Sequence, residues 1–159
     1  MASNCAHPHD RPGLKGRALQ AELEAAEFRC ARSDQRLTAP RRRVLQLLLE
    51  SGKPSKAYDL IAAYGEAGAP AKPPTVYRAL DFLERQGFAH RIESLNAYVV
   101  CRHGPDSHAA AFLICDCCGD TREVEPVGAK QLNKVADEAG YRLTVVTIEA
   151  HGLCGACAA

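Results

Sequence analysis

The sharpest chemical signal in this chain is sulfur. Cys115 and Cys118 stand in FLICDCCGD, and Cys154 and Cys157 in HGLCGACAA, so two Cys-x-x-Cys pairs are separated by 35 residues. Each pair spans a tight turn that aims two thiolates at one point, and two pairs make the tetrahedral four-sulfur set that zinc favours. Such a site is closed: protein fills every coordination position, none is left for water or substrate, and the binding energy goes into folding. The interval between the pairs has room for a helix and a strand, so a metal here would tie the start of a sheet to its end. Cys117 lies inside the first pair with its side chain expected to point away, as a bystander. Thioredoxin-like redox work is the other use of Cys-x-x-Cys, and the doubling of the motif argues against it.

A second candidate set is dispersed: His90, Cys101, His108 and Glu123. One such residue is usually only a polar group with a hydrogen-bond partner. Here the interest is their distribution, because two fall in a helical N-terminal region, one in a linker and one in a C-terminal sheet. Two imidazoles, a thiolate and a carboxylate suit zinc, and the thiolate argues against iron or manganese. His103, nearer the Gly-Pro turn, and His151 compete for places in this set, and His151, beside the C-terminal cysteine pair, has an outer partner of that site as its other reading. Cys5, His7 and His9 offer further ligands near the N-terminus, where binding would first have to order the chain. A zinc hydrolase built on His90, Cys101 and His108 is the enzymatic alternative, but catalytic zinc needs an exchangeable water position that Glu123 would close. No Ser-His-Asp set, phosphate loop or paired-carboxylate cleft is evident, and no catalytic residue is assigned.

Composition sets the frame. A chain of 159 residues with 47% hydrophobic and 25% charged residues reads as one ordinary globular domain or two small ones, and small domains gain from a metal staple. The N-terminal MASNCAHPHDRPGLKG lacks the apolar core of a signal peptide and no apolar run is long enough to span a bilayer, so a cytoplasmic protein with reduced thiols and no membrane partner is expected. The net charge of +1 conceals an asymmetry: residues 1–91 carry 15 Lys and Arg against 10 Asp and Glu, whereas residues 92–159 carry 5 against 9. The basic half is the one to meet phosphates.

The elements that must position these residues follow from periodicity and punctuation. Residues 1–16 mix His, Pro, Gly and Cys without period and read as a flexible tail. Leu19, Leu23, Ala26 and Cys30 recur at helical spacing over 17–32, placing Cys30 in a core. RLTAPRRRVLQLLLESG gives a second helix, with Thr38 as cap, Pro40 in the first turn and Gly52 as stop. A third opens after Ser55, with Leu60, Ile61 and Tyr64 on one side and Gly65 and Gly68 ending it. After KPP comes a fourth, where Val76, Ala79, Leu80 and Leu83 share one stripe and Tyr77, Arg78, Asp81 and Arg85 the opposite face. FAHRIESLNAYVVC reads as two strands joined through Ser-Leu-Asn. Helices followed by a hairpin make a winged helix-turn-helix.

Beyond CRHGPDSH come a strand (AAFLICD), a strand (TREVEP), a helix over about 127–139 with Leu132, Val135, Ala136 and Ala139 inward, and a strand (YRLTVVTIE). The fold class is therefore α+β. A winged helix-turn-helix domain spans 17–101, a hinge 102–109, and a small zinc-containing α/β dimerisation domain 110–159. A sheet this small leaves edges and an apolar face that a second copy would cover.

With RLTAPRRRVL, AYDLI, KPPTVYRALDFLERQGFAHRIES, the FLICDCCG pair and IEAHGLCGAC in order, the chain resembles the ferric uptake regulator family of bacterial metal-sensing repressors, and within it the zinc uptake regulator branch, over roughly 30–157. The resemblance implies a homodimer on an inverted-repeat operator in double-stranded DNA. It implies that Cys115, Cys118, Cys154 and Cys157 hold a structural zinc, and that His90, Cys101, His108 and Glu123 align with the regulatory zinc site. About two Zn2+ per subunit are then expected, one for each four-ligand set. Tyr77 and Arg78 match the family's DNA-contacting pair. The iron-sensing branch has a His-rich run at the hinge where this chain has HGPDSHAA, and some relatives carry charges in the third helix where this chain has Ala62, Ala63 and Gly65.

The expected function is a zinc-responsive repressor of zinc-uptake genes with Zn2+ as corepressor; the alternative is a same-family sensor of iron, manganese or peroxide. Metal in the dispersed set would fasten wing to sheet and fix the spacing of the two recognition helices to that of the half-sites. Arg78 suits the O6/N7 edge of guanine and Tyr77 a thymine methyl or phosphate, with Thr75 beside them. Arg41, Arg42 and Arg43 are read as phosphate contacts.

Overall fold

The computed structural model describes residues 12–65, 72–101 and 109–158. Five helices and six strands follow in the order α1 (Gly16–Arg32), α2 (Ala39–Ser51), β1 (Ser55–Lys56), α3 (Ala57–Gly65), α4 (Pro73–Arg85), β2 (Ala89–Ile92), β3 (Ala97–Val100), β4 (Ala109–Cys115), β5 (Thr121–Val124), α5 (Ala129–Glu138) and β6 (Val146–Gly152). The chain separates into two compact units, one carrying α1 to β3 and the other β4 to β6. Its class is α+β.

The helical unit is built around α2 and α4. Val44, Leu45 and Leu48 of α2 meet Val76, Leu80 and Leu83 of α4 in a core closed by Leu19, Leu23, Ala26 and Cys30 of α1. The helical spacing of these residues aligns them on inward stripes, and their burial drives the helices together. Cys30 is a core thiol whose ionisation is pushed up by burial. Gly52 ends α2 with φ of 64°, a left-handed conformation that glycine adopts without strain. Thr38 occupies the cap position, but its hydroxyl makes no capping bond; its carbonyl accepts from the Arg42 N–H at 2.8 Å. Residues 12–15, placed in the tail by their composition, lie against the end of α2: the Leu14 N–H donates to the Leu49 carbonyl at 2.8 Å.

A three-stranded sheet in the order β1-β3-β2 finishes this unit. The expected hairpin is present, turning at Asn96 with φ of 46°. Two-residue β1 was not legible as a strand, because it makes only the pairs Ser55↔Tyr98 and Lys56↔Ala97.

In the second unit β4 is central, antiparallel to β5 and parallel to β6. Two expectations fail here. The last strand begins at Val146, not Tyr141, because the ladder starts with Ala109↔Val146 and β4 offers no earlier partner. Of the four α5 side chains expected inward, only Ala136 is buried; Leu132 and Val135 are exposed, and so is Ala139. Periodicity identified an apolar face that needs a cover, and three short strands are too small to provide it.

Candidate metal centres and nucleic-acid interface

The four cysteines converge. Cys115 ends β4, Cys118 lies in the turn closed by the Gly119 N–H on the Cys115 carbonyl at 2.9 Å, and Gly119 has φ of 74°. Cys154 and Cys157 share the turn after β6, where the Cys157 N–H donates to the Cys154 carbonyl at 2.9 Å. Strand pairing delivers one turn to the other, because Cys115 stands opposite Gly152 and the Asp116 N–H donates to the Gly152 carbonyl at 2.8 Å.

All four Sγ atoms lie within 4.8 Å of one another, and those of Cys118 and Cys154 are 3.8 Å apart. With Zn–S bonds of about 2.3 Å, the edge of a regular tetrahedron is about 3.8 Å. The donor set therefore fits zinc in type, number and spacing, and all four are free thiols. Cys117, expected as a bystander, takes no place among the four. Main-chain N–H groups of Cys118 and Cys154 pull the Cys115 thiol down to about 6, and the Cys154 N–H lies 3.3 Å from its sulfur. Burial and the neighbouring sulfurs push Cys157 up to about 12. One thiolate thus stands ready to receive a cation, whereas Cys157 would have to give up its proton to a metal.

His90 and Cys101 belong to one hairpin. His90 pairs with Val99 in β2–β3, and the Cys101 N–H donates to the Phe88 carbonyl at 2.9 Å, which extends the ladder by one residue. Alternation along the strands puts both side chains on one face, with ligand atoms within 4.8 Å. Glu123 lies on β5, opposite Phe112. His108 and the competing His103 lie outside the described residues, as do Cys5, His7 and His9. His151 lies on β6, with Nδ1 2.9 Å from an Asp116 carboxylate oxygen.

On α4 the polar face expected from the sequence is open: Tyr77, Arg78, Asp81 and Arg85 are exposed, and Thr75 is half-buried at the front of the helix. The three consecutive arginines of α2 each have a partner within the unit. Arg41 stacks on the Phe82 ring at 3.6 Å and donates to the Arg36 carbonyl at 2.6 Å. Arg42 pairs with Glu27 at 2.7 Å, and Arg43 reaches the Ala63 carbonyl at 3.4 Å. Apart from the Arg36 carbonyl, five residues before Arg41, these partners lie 15 or more residues away in sequence, and of the distant ones only the Phe82–Arg41 stack had a local clue, an aromatic one turn from the end of an amphipathic helix. The Asp116–His151 contact was also missed. Its signal was the register that places His151 beside the residue preceding Cys115.

Among the described residues, no helix is long and apolar enough to cross a membrane. A model of the ferric uptake regulator family matches residues 32–151. Zinc uptake regulation proteins of Escherichia coli (strain K12) and Shigella flexneri are each 45% identical over 140 residues, covering 87% of this chain and 82% of theirs. Among solved structures, a zinc uptake regulator complexed with zinc and DNA is 44% identical, with a TM-score of 0.81 over 90% of this chain and 97% of that one. The holo form of XcZur is also 44% identical, with a TM-score of 0.78 over 87% and 97%.

Proposed function

The chain belongs to the ferric uptake regulator family, and from that premise we infer that it is a zinc-responsive transcriptional repressor with Zn2+ as corepressor and zinc-uptake genes as targets. The observation that carries this reading is its 44% identity and TM-score of 0.81 to a zinc uptake regulator solved with zinc and DNA. It is a regulator of transcription and not an enzyme. It acts as a homodimer on double-stranded operator DNA with inverted half-sites, in the cytoplasm.

Two zinc sites per subunit serve it. Cys115, Cys118, Cys154 and Cys157 hold the structural ion, a reading supported by the tetrahedral spacing of their sulfurs. His90, Cys101, His108 and Glu123 hold the regulatory one, a reading supported by the shared face of His90 and Cys101. Because these ligands come from the wing, the hinge and the sheet, filling the site restricts how the α4 helices of a dimer are presented to successive half-sites. The metal-free dimer meets that cost on binding DNA and the metal-bound dimer does not.

Arg78 reads a guanine edge, Tyr77 meets a thymine methyl or phosphate, and Thr75 lies beside them; the exposure of α4's polar face supports this. Arg41, Arg42 and Arg43 keep N–H groups for phosphates beyond those used within the unit, since each guanidinium has five.

A gel shift with DNA upstream of a zinc importer gene tests the function. Retardation that appears with zinc and disappears with chelator is expected. Retardation driven by iron or manganese but not zinc would instead assign the chain to another sensor of the same family.

A further inference from the structure

Outside the four sulfurs, a side-chain hydrogen bond joins the first cysteine turn to β6, the strand that leads to the second. β4 and β6 run parallel and both end at a Cys-x-x-Cys turn, so their ends must stay in register for the sulfurs to meet. Main-chain pairing reaches Cys115↔Gly152 and the Asp116 N–H on the Gly152 carbonyl, and there it stops. Just at that point His151 Nδ1 lies 2.9 Å from Asp116 Oδ1, while its Nε2 is 3.9 Å from a Glu149 carboxylate oxygen. A carboxylate only accepts, so the ring nitrogen facing Asp116 donates. Asp116 is the residue after Cys115, and His151 stands three before Cys154. A cleft of about 380 Å³ lined by His151, Asp120 and Arg122 also reaches Cys115 and Cys154, so solvent and competing ligands approach the sulfurs past His151.

We propose that Asp116 and His151 are a positioning couple for the structural zinc, clasping the two cysteine turns across the β4–β6 seam so that zinc is held in a preset tetrahedron and leaves slowly. The proposal rests on the four-cysteine reading above. Each acts not as a ligand but through the turn beside it, by holding that turn in place. The side chains are 58% and 39% exposed, so solvent screens their attraction and the pair adds little to global stability. Its effect lies in zinc retention, and that separates it from an ordinary surface ion pair.

The test uses the zinc-loaded full-length protein carrying Cys101→Ser, so that structural zinc alone is followed, with transfer to a chromophoric chelator read over time. His151→Ala and Asp116→Ala should each speed transfer by about 10-fold or more, the lower end of the affinity loss seen when an outer partner is removed, taken here as faster release. The double variant should be no faster than the faster single one. His151→Asn, whose amide N–H replaces the Nδ1 donor, should restore most of the retention. In cobalt-loaded protein the thiolate charge-transfer bands should shift in His151→Ala and return in His151→Asn. Unchanged transfer in both alanine variants, additive effects in the double one, or transfer that merely follows a fall in thermal midpoint overturns the couple. A slow-leaving zinc that persists in Cys154→Ser overturns the four-cysteine reading instead.

Discussion

The Cys101 N–H donates to the Phe88 carbonyl at 2.9 Å, and the Phe88 N–H donates in turn to the Leu83 carbonyl at 2.8 Å. Cys101 is thus two main-chain hydrogen bonds from the last turn of α4. The Arg29 guanidinium lies 4.2 Å above the Phe88 ring and covers the same corner. Whatever holds the Cys101 side chain is therefore coupled through rigid backbone to the helix that carries Tyr77 and Arg78.

Cys101→Ser tests that coupling cleanly, because the bond to Phe88 uses the main chain and survives the substitution. A serine hydroxyl seldom binds zinc at neutral pH, so the variant should fold and dimerise with about one zinc per subunit where the parent has about two. Its operator affinity should be low and nearly independent of added zinc. Metal analysis and gel shifts with and without zinc check both statements. By linkage, operator DNA should tighten zinc binding in the parent by the factor with which zinc tightens operator binding. Full zinc content and zinc-dependent binding in Cys101→Ser would remove Cys101 from the regulatory set.

Arg78→Ala should weaken specific operator binding by about 1 to 3 kcal/mol per subunit, the worth of a bidentate base contact. Zinc content and dimerisation should not change, since the side chain is exposed on α4 and packs into neither core. The salt dependence of binding identifies the contact: a slope close to the parent's means a lost base contact, and one reduced by about one means a lost phosphate contact.

What the sequence made legible was whatever depends on short spacing. Val76, Ala79, Leu80 and Leu83 announce the buried stripe of α4, and its open face follows by exclusion. Cys-x-x-Cys announces a turn that can hold half a metal site. Pairings set by tertiary register were not legible. Ser55 joins a sheet only because Tyr98 is opposite it, and Arg41 stacks on a ring 41 residues away in sequence. The exposed Leu132 and Val135 show a third case: amphipathicity says that a face must be covered and is silent on whether the cover comes from the same chain.

Gly13 illustrates the same limit and gives a stability prediction. Composition places it in a tail, yet a Cβ built on it would overlap the Glu50 carbonyl at the end of α2. Both atoms belong to backbone, so neither can rotate away. Gly13→Ala should destabilise the helical unit by about 1 to 3 kcal/mol, the usual cost of overpacking. Chemical denaturation with a helical signal measures it, and a midpoint equal to the parent's would mean that this contact does not persist in solution.

The ionisation of Cys115 makes zinc uptake a test of how well the four-cysteine site is formed before metal binds. In the folded, metal-free site its thiol is pulled down to about 6 by main-chain N–H groups, well below its unperturbed value of 9.0. The folded form therefore carries fewer protons on this sulfur than the unfolded chain between those two values. Its stabilising contribution is complete above about 9 and fades as pH falls towards about 6. Between pH 7 and 8, zinc binding then displaces no proton from Cys115, whereas Cys157, pushed up to about 12, must give one up. The logarithm of apparent zinc affinity should climb by at most about three per pH unit in that range, and by about one more below pH 6, where Cys115 also must be deprotonated. Competition titrations under reducing conditions measure the slope. A slope of about four at pH 7 to 8 would mean that all four thiols are protonated before zinc arrives, as in an unstructured chain, so that the N–H groups around Cys115 come into place only with the metal.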